Sequence, residues 1–316
     1  AKDQGEFLGA FTPDYENAEK NKVAFLEHPH INWDEMYFAN QKIGQNGYLP
    51  AQSHYVLYED RTDDRTLAIN SNLNTQITPN ISFDGGFTFK KLKSHNFQYL
   101  LDLLGGAYFE DIDSFYKGSL SQSDLQHPNR QVVKGDMYGY NYNLLANTLD
   151  VFAQFKFSYN KTEFFLAQSY SMSDYQREGL YQNGLYPTNS LGKSEKVNFE
   201  NFGFKGGFTY KISGKQLLFF NAAHFTRAPS LRNTFSNSRL NNNVVDGIES
   251  ENISSAEANY VYRSAKLKLR LTAYYSLIKN TTKTSYFYAE GIFDNGSGYD
   301  STNAFVSQTL TNLDKK

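Results

Sequence analysis

Residues 266–280 read KLKLRLTAYYSLIKN, and their first six places alternate without a break between Lys266, Lys268 and Arg270 on one parity and Leu267, Leu269 and Leu271 on the other. Strict alternation is the mark of a β-strand with two unlike faces. In a soluble sandwich the leucines would enter a protein core and the charges would meet water. In a membrane barrel the leucines would meet lipid and the charges an enclosed lumen. The strand alone does not choose between these, and the rest of the chain has to.

The 316 residues carry 31 basic and 33 acidic side chains, a net charge of -2, which leaves no electrostatic footprint for nucleic acid. Aromatic residues make up 16%, almost all of it 24 Tyr and 26 Phe, in a chain that is only 40% hydrophobic. That mixture suits half-buried strands better than helices. No run of about 18 apolar residues offers a transmembrane helix, although a barrel needs none, since its strands are apolar only at alternate places. The absence of cysteine removes disulfides, thiolate metal sites and cysteine nucleophiles together. A start at Ala1 without a signal peptide reads as a processed product or a fragment.

Four segments repeat one layout of alternating run, short polar turn and second run. Leu67, Ile69, Leu73 and Ile77 oppose Asn70, Asn72, Asn74 and Gln76 in parity; after Thr78–Asn80, Ile81, Phe83, Phe87 and Phe89 oppose Ser82, Asp84, Thr88 and Lys90. Leu149, Val151, Phe155 and Phe157 precede a turn near Asn160, Phe202, Phe204 and Phe208 precede one at Ser213 and Gly214, and Ala256, Ala258 and Tyr260 precede one near Arg263. The return runs from Phe164 and from Gln216 are apolar at both parities and have no readable face. About eight strands of roughly 10 residues emerge, the length expected of tilted membrane-spanning strands. Helical periodicity is scarce: residues 101–115 suggest one short turn, and the first fifty residues show no clear period.

Connections between hairpins are long where the turns within them are short, about 55, 25 and 25 residues. Short turns on one side and long loops on the other are the habit of outer-membrane barrels. Tyr159, Tyr210 and Tyr262 occupy the apolar-parity place nearest the short turn in three hairpins, as a membrane-interface girdle requires. The expected fold is therefore all-β: part of an antiparallel transmembrane β-barrel with long extracellular loops. Its lumen face would carry Lys205, Lys211, Glu257, Lys268 and Arg270, and eight strands alone would not house so many long charged side chains.

Residues 225–262, from FTRAPSLRNTF through DGIESENISSAEANYVY, resemble the late-barrel signature of TonB-dependent outer-membrane receptors. Matching positions are Arg227, Pro229, Leu231 and Phe235, then Glu249, Glu251, Asn252 and Glu257, with KLKLRLTAYYSLIKN as the following strand. The wording of YQREGLYQNG and FGFKGGFTYKISG is similar to the Bacteroidota branch. The resemblance covers about residues 50–312. It lacks the plug domain and the terminal aromatic of the family's last strand. It thus implies an interior piece, about 8–10 strands of a barrel of about 22, with residues 1–316 as one partial barrel domain. It further implies the bacterial outer membrane, energised uptake of a scarce or bulky solute, and as partners outer-membrane lipid, a plug domain and TonB outside this chain, and a surface lipoprotein or other complex subunit.

No Ser-His-Asp order, nucleotide loop or catalytic carboxylate pair stands out, so no enzyme, cofactor or metal is expected. His28 and His30 lack a third ligand, and the acidic runs at Asp60, Asp63 and Asp64 and at Glu110, Asp111 and Asp113 read as solvated loop carboxylates, with calcium held beside loop carbonyls as the alternative. Loop residues Arg227, Arg232, Tyr181, Tyr186, Phe235, Tyr286 and Phe287 are the candidates for ligand contact. A passive porin or lipid-transport barrel and a soluble glycan-binding β-protein remain the alternatives.

Overall fold

The structure is a computed structural model and describes residues 15–44, 47–293 and 302–315. The chain forms two compact units, one of residues 1–57 and 102–109, the other of residues 58–101 and 110–316. The smaller unit holds helices α1 (Tyr15–Glu27) and α2 (Trp33–Ala39) and the hairpin of β1 (Gln41–Gly44) and β2 (Gly47–Pro50). These helices correct the aperiodic reading of the first fifty residues. Glu16 with Lys20 and Glu19 with Lys22 support α1, and the Asn32 side chain caps α2 by accepting the Glu35 amide at 3.3 Å. Behind α2, fully buried Asn40 donates to the carbonyls of Tyr55 (2.8 Å) and Leu103 (2.9 Å) and accepts the amides of His54 and Tyr55.

The larger unit is dominated by one antiparallel sheet. Its strands are β3 (Leu57–Thr78), β4 (Ile81–Asp102), β7 (Met137–Ser158), β8 (Thr162–Gly179), β10 (Val197–Ser213), β11 (Gln216–Arg227), β12 (Glu251–Arg263), β13 (Lys268–Phe293) and β14 (Thr302–Lys315), side by side in that order. A short β9 (Gly192–Lys193) adds to β8, while β5 (Phe109–Glu110), a 3-10 turn (Gly118–Ser121) and β6 (Gln131–Val132) interrupt the connection after β4. Consequently residues 101–115 do not form the expected helical turn: β4 runs to Asp102, and the double glycine at Gly105–Gly106 comes two residues later. Among the described residues β3 and β14 stay unpaired at the two edges, so the sheet is not closed.

Register makes the faces explicit. Phe83 lies opposite Phe155, Phe155 opposite Leu166, Phe164 opposite Phe208, Phe208 opposite Phe220, and Tyr262 opposite Leu269. Directly paired residues share a face, so a single apolar face runs across the sheet, and it settles the ambiguous returns: Phe164, Leu166, Tyr170 and Met172 are on it, as are Leu218 and Phe220. The other face aligns Asp84 with Gln154, Glu163 with Thr209, Asn221 with Glu257 and Asn259 with Thr272. Among the described residues nothing covers the apolar face, on which Leu67 is 57%, Phe155 41%, Leu166 62% and Leu271 58% exposed. The sheet has the architecture of a partial outer-membrane β-barrel wall, short turns at one end and long loops at the other.

The strands are longer than expected. β3, β4 and β7 each have 22 residues, about 70 Å at about 3.3 Å per residue, whereas a tilted strand crosses a bilayer in about 9–11. Half of each of these strands therefore extends past a bilayer at the loop end. There β7 bulges: Phe97 pairs with Asn141 but Gln98 with Tyr138, and Gly139 takes φ +68° while its amide donates to Asp111 at 2.8 Å. Gly139→Ala should cost about 1–2 kcal/mol through the left-handed backbone, and faster amide exchange at Tyr140 and Tyr142 would register it. Because the new methyl would also strike the Gln98 side chain, adding Gln98→Ala should recover part of the loss but not all.

Candidate functional site

Three long connections meet over the polar face at the loop end, and their anchoring begins with a fully buried aromatic. Phe235, in the connection between β11 and β12, packs against Tyr140, Tyr142 and Leu144 of β7, with Leu231 and Val244 beside it. The three β7 side chains alternate onto the polar face, where a sandwich of sheet and loop replaces what would be a solvated wall. Pro229 is also buried, and Ser230 starts the 3-10 turn Leu231–Thr234 by accepting the Asn233 amide at 3.3 Å. Below the turn, Arg227 and Glu251 face each other across the ladder and join through Nε (3.1 Å) and Nη2 (2.5 Å), closing the connection at its base.

Arg177 holds two of these connections together. It is 1% exposed, lies opposite Leu144, and donates Nε to the Ser238 carbonyl at 2.6 Å and Nη1 to the Ser190 carbonyl at 2.9 Å and Asn242 Oδ1 at 2.5 Å. Its guanidinium also lies over the Tyr142 ring, 5.2 Å from the centroid. Burial pushes Arg177 down to about 10, still charged at neutral pH. Gly179 makes the approach possible, since a Cβ there would fall on the Ser190 carbonyl.

The connection after β4 joins the same assembly. Buried Asp124 accepts the Gln182 amide at 3.0 Å and His127 Nδ1 at 2.8 Å, while Leu125 and Gly184 add backbone bonds to Gln182 and Gln122. Asp111, also buried, takes Arg130 at 2.6 Å; burial opposes the charge on Arg130, but Tyr181 and Asp111 outweigh it and raise its pKa. Asp60, from the outer part of β3, accepts the Tyr140 hydroxyl at 2.8 Å and Arg239 at 3.1 Å. Burial would raise the Asp60 carboxyl, yet those two donors and Gln98 hold it below its ordinary value. Asp60 and Asp111 thus correct the reading of both acidic runs as merely solvated.

The candidate ligand residues divide by environment. Arg227 is committed to Glu251, and Tyr181 donates to the Met137 carbonyl at 3.1 Å and accepts from Arg130 at 3.0 Å. Phe235, expected at a loop surface, is instead the aromatic anchor, because β7 offers it an apolar seat. Arg232 is exposed, Tyr186 half-buried, and Tyr286 exposed with its hydroxyl donating to the Ser236 carbonyl at 3.2 Å. The side chain of Phe287 lies outside the described residues. Tyr210 and Tyr262 sit on the apolar face at the turn end, and Tyr159, just past the end of β7, stacks its ring on Phe164 of that face. On the opposite face Lys211 pairs with Glu163 at 2.6 Å, Glu257 accepts Asn221 at 2.7 Å, Arg270 binds Asn259 at 2.8 Å, Lys205 lies 5.9 Å from the Phe225 ring centroid, and Lys268 lies across from Arg263.

Beside the Arg227–Glu251 clamp lies a cavity of about 680 Å³, lined by β7, β8, β10, the loop ends of β11 and β12, the start of the 3-10 turn and the irregular part of β13. Buried Asn201 and Thr281 are both among its lining residues.

No family model and no curated protein matches this sequence. Among solved structures it is similar to one described as copper transporter OprC, with a TM-score of 0.52 and 11% identity, over 81% of this chain and 35% of that one. The chain spans about a third of the length of that structure, and the likeness is one of fold.

Two outcomes follow for the loop assembly. Arg177→Met should leave three buried acceptors unpaired, destabilise the folded state by about 2–4 kcal/mol, and open residues 180–196 and 228–250 to limited proteolysis; Arg177→Lys should not rescue it, since one ammonium lacks the planar fork. The lowered Asp60 pKa means that its stabilising contribution is present above the unfolded carboxylate value of about 3.9 and is lost as pH falls through the folded one. Proteolysis of residues 228–250 should therefore accelerate only in acid, and Asp60→Asn should loosen the segment at neutral pH and remove that acid step.

Proposed function

We propose that this chain is part of the barrel wall of an outer-membrane transporter, of the TonB-dependent kind that its residues 225–262 resemble, serving energised uptake of a scarce or bulky solute. The observation that carries this reading is the continuous uncovered apolar face: a sheet that leaves Leu67, Phe155, Phe208 and Leu271 without protein cover needs another apolar medium, and a bilayer is the medium whose thickness matches the apolar half of these strands. Outer-membrane lipid is then the first partner. A plug domain and TonB would be the others, the plug meeting the polar face and TonB transmitting force to it. A loop assembly cemented by Phe235 and Arg177 would give such a transporter a rigid outer rim, so that movement is confined to whatever occupies the interior. Copper belongs to the neighbour's description, and among the described residues no group of three His, Cys, Asp or Glu is placed to hold a metal.

Membrane extraction tests the reading directly. The protein expressed in a Gram-negative host should stay with the outer membrane through an alkaline wash and need detergent for release; recovery in the soluble fraction would overturn it. Phe208→Arg, on the apolar face near mid-bilayer depth, should then cost about 2–4 kcal/mol in a folding titration into lipid vesicles. Thr209→Arg, one residue on and directly opposite Glu163, should change stability by no more than about 0.5 kcal/mol.

A further inference from the structure

Just past the apolar belt, on the loop side, the outward face of the sheet turns positive at one place. On β4 the run Phe83, Phe87 and Phe89 continues at the same parity into Lys91 and Lys93, which lie across from Asn147 and Leu145 of β7. On β3 the run Ile77, Leu73, Ile69 and Leu67 gives way to Arg65. Side chains join these two strands at Asn70 with Thr88 (2.9 Å) and at Thr62 with Asn96 (3.0 Å). The constant antiparallel register between those pairs sets Arg65 across from Lys93 and Leu67 across from Lys91. All three cations are exposed.

The cluster lacks a counter-charge. Of the carboxylates that share its face, Asp63 pairs with Arg61 at 3.1 Å and Asp174 with Lys196 at 3.2 Å, and among the described residues Arg65, Lys91 and Lys93 join no ion pair. Farther along the same ladder rows the face carries Asp174 and Glu200, so the positive charge belongs to the β3–β4 pair and not to the whole rim. Like charges directly opposite one another on a sheet repel. Arg65 and Lys93 therefore weaken the ladder that holds them unless an anion lies between.

Height identifies the anion. From Ile81 at the short turn to Lys91 is about 33 Å of strand at about 3.3 Å per residue. At a tilt of about 35–45° that rises about 23–27 Å, and the apolar band of a membrane barrel is about 25 Å tall. The cations thus stand at the headgroup level of the leaflet on the loop side. Directly beneath them Leu67, Phe87 and Val151 are 57%, 42% and 41% exposed, with Phe87 across from Val151. Positive charge capping an apolar wall matches an amphiphile, with acyl chains below and an anionic head above. Phosphate is the anion that lipid headgroups carry at that height; the planar fork of Arg65 suits two of its oxygens, and the two ammonium groups supply point charges beside it.

We propose that Arg65, Lys91 and Lys93 bind the phosphate of a lipid in the loop-side leaflet, its acyl chains lying along Leu67, Phe87 and Val151. The site rests on the membrane reading of the apolar face and adds to it one fixed lipid position, at the β3–β4 pair.

Native mass spectrometry of the full chain in a neutral detergent, titrated with dioctanoyl phosphatidic acid, dioctanoylglycerol and inorganic phosphate, tests it. Retention of the phosphatidic acid is expected, with the other two bound at least about tenfold more weakly. Lys91→Gln combined with Lys93→Gln should weaken retention about tenfold or more, whereas Lys161→Gln combined with Lys215→Gln, the same charge change at the short-turn end, should leave it unaltered. Arg65→Gln should raise the Tm in neutral detergent by removing a repulsion, and should gain less from added phosphatidic acid than the parent protein; an arginine of purely structural value would lower the Tm and leave that gain intact. Equal retention of dioctanoylglycerol, displacement by inorganic phosphate at matched concentration, or an equal loss from the Lys161 and Lys215 changes would each overturn the site in a protein that still needs detergent for extraction. Release from the membrane without detergent would remove the site and the membrane reading together.

Discussion

Everything in the larger unit depends on one constraint, the registration of a two-residue side-chain period across the hydrogen-bonded strands. Each ladder fixes which residues share a face, and a slip of one place in any ladder would exchange the faces from that strand onward. The pairings Phe83–Phe155–Leu166 and Phe164–Phe208–Phe220 hold because the short turns leave no slack: Thr78 to Ile81, Ser158 to Thr162 and Ser213 to Gln216 each reverse the chain within a few residues. Given that register, apolar residues gather on one side, charged ones on the other, and the surface chemistry of the whole sheet is decided.

At the loop end the same constraint yields a different product. Once the strands rise past the apolar belt, the polar face no longer needs to be polar throughout, and β7 places Tyr140, Tyr142 and Leu144 there, forming a seat for Phe235. Burying a chain segment over this seat strands backbone carbonyls, those of Ser190 and Ser238 among them. Arg177 resolves this with neutral acceptors instead of a carboxylate. A buried carboxylate would have brought its own desolvation cost, whereas carbonyls already deprived of water gain donors they would otherwise lack. The cation remains charged because three oxygens and the Tyr142 ring share it.

How far the residues announced this varies with the range of the interactions. The faces of β3, β4, β7, β10 and β12 were legible because alternation is local: Leu67 to Ile77 and Ile81 to Phe89 state their parity within ten residues. The returns β8 and β11 were not, since Phe164–Phe165 and Leu217–Phe220 are apolar at both parities, and only the partner strand chooses. Helices α1 and α2 bury no stripe and so carry no amphipathic period, and Asn32 followed by Glu35 is the one local capping signal for α2. Arg177 carries no signal at all in YQREG. Its acceptors lie up to 65 residues away, and the Asp60–Arg239 contact spans 179, distances at which periodicity says nothing.

The signature Arg227-x-Pro229-x-Leu231 with Glu251 shows how one motif anchors a long connection. Arg227 and Glu251 tie the base of the connection, Pro229 and Leu231 turn it back over the sheet, and Phe235 seats it. Beside this fold-back lies a space lined by Ser171, Asn201 and Asn233. Had the floor been apolar, the space would be a packing defect that larger side chains could fill. It is floored instead by Asn201, Ser171 and Asp150, and bordered by Thr281, on a stretch of β13 whose register breaks between Ile278 and Lys283. The polar lining comes from four separate strands, and two of its side chains, Asn201 of β10 and Thr281 of β13, are buried without partners.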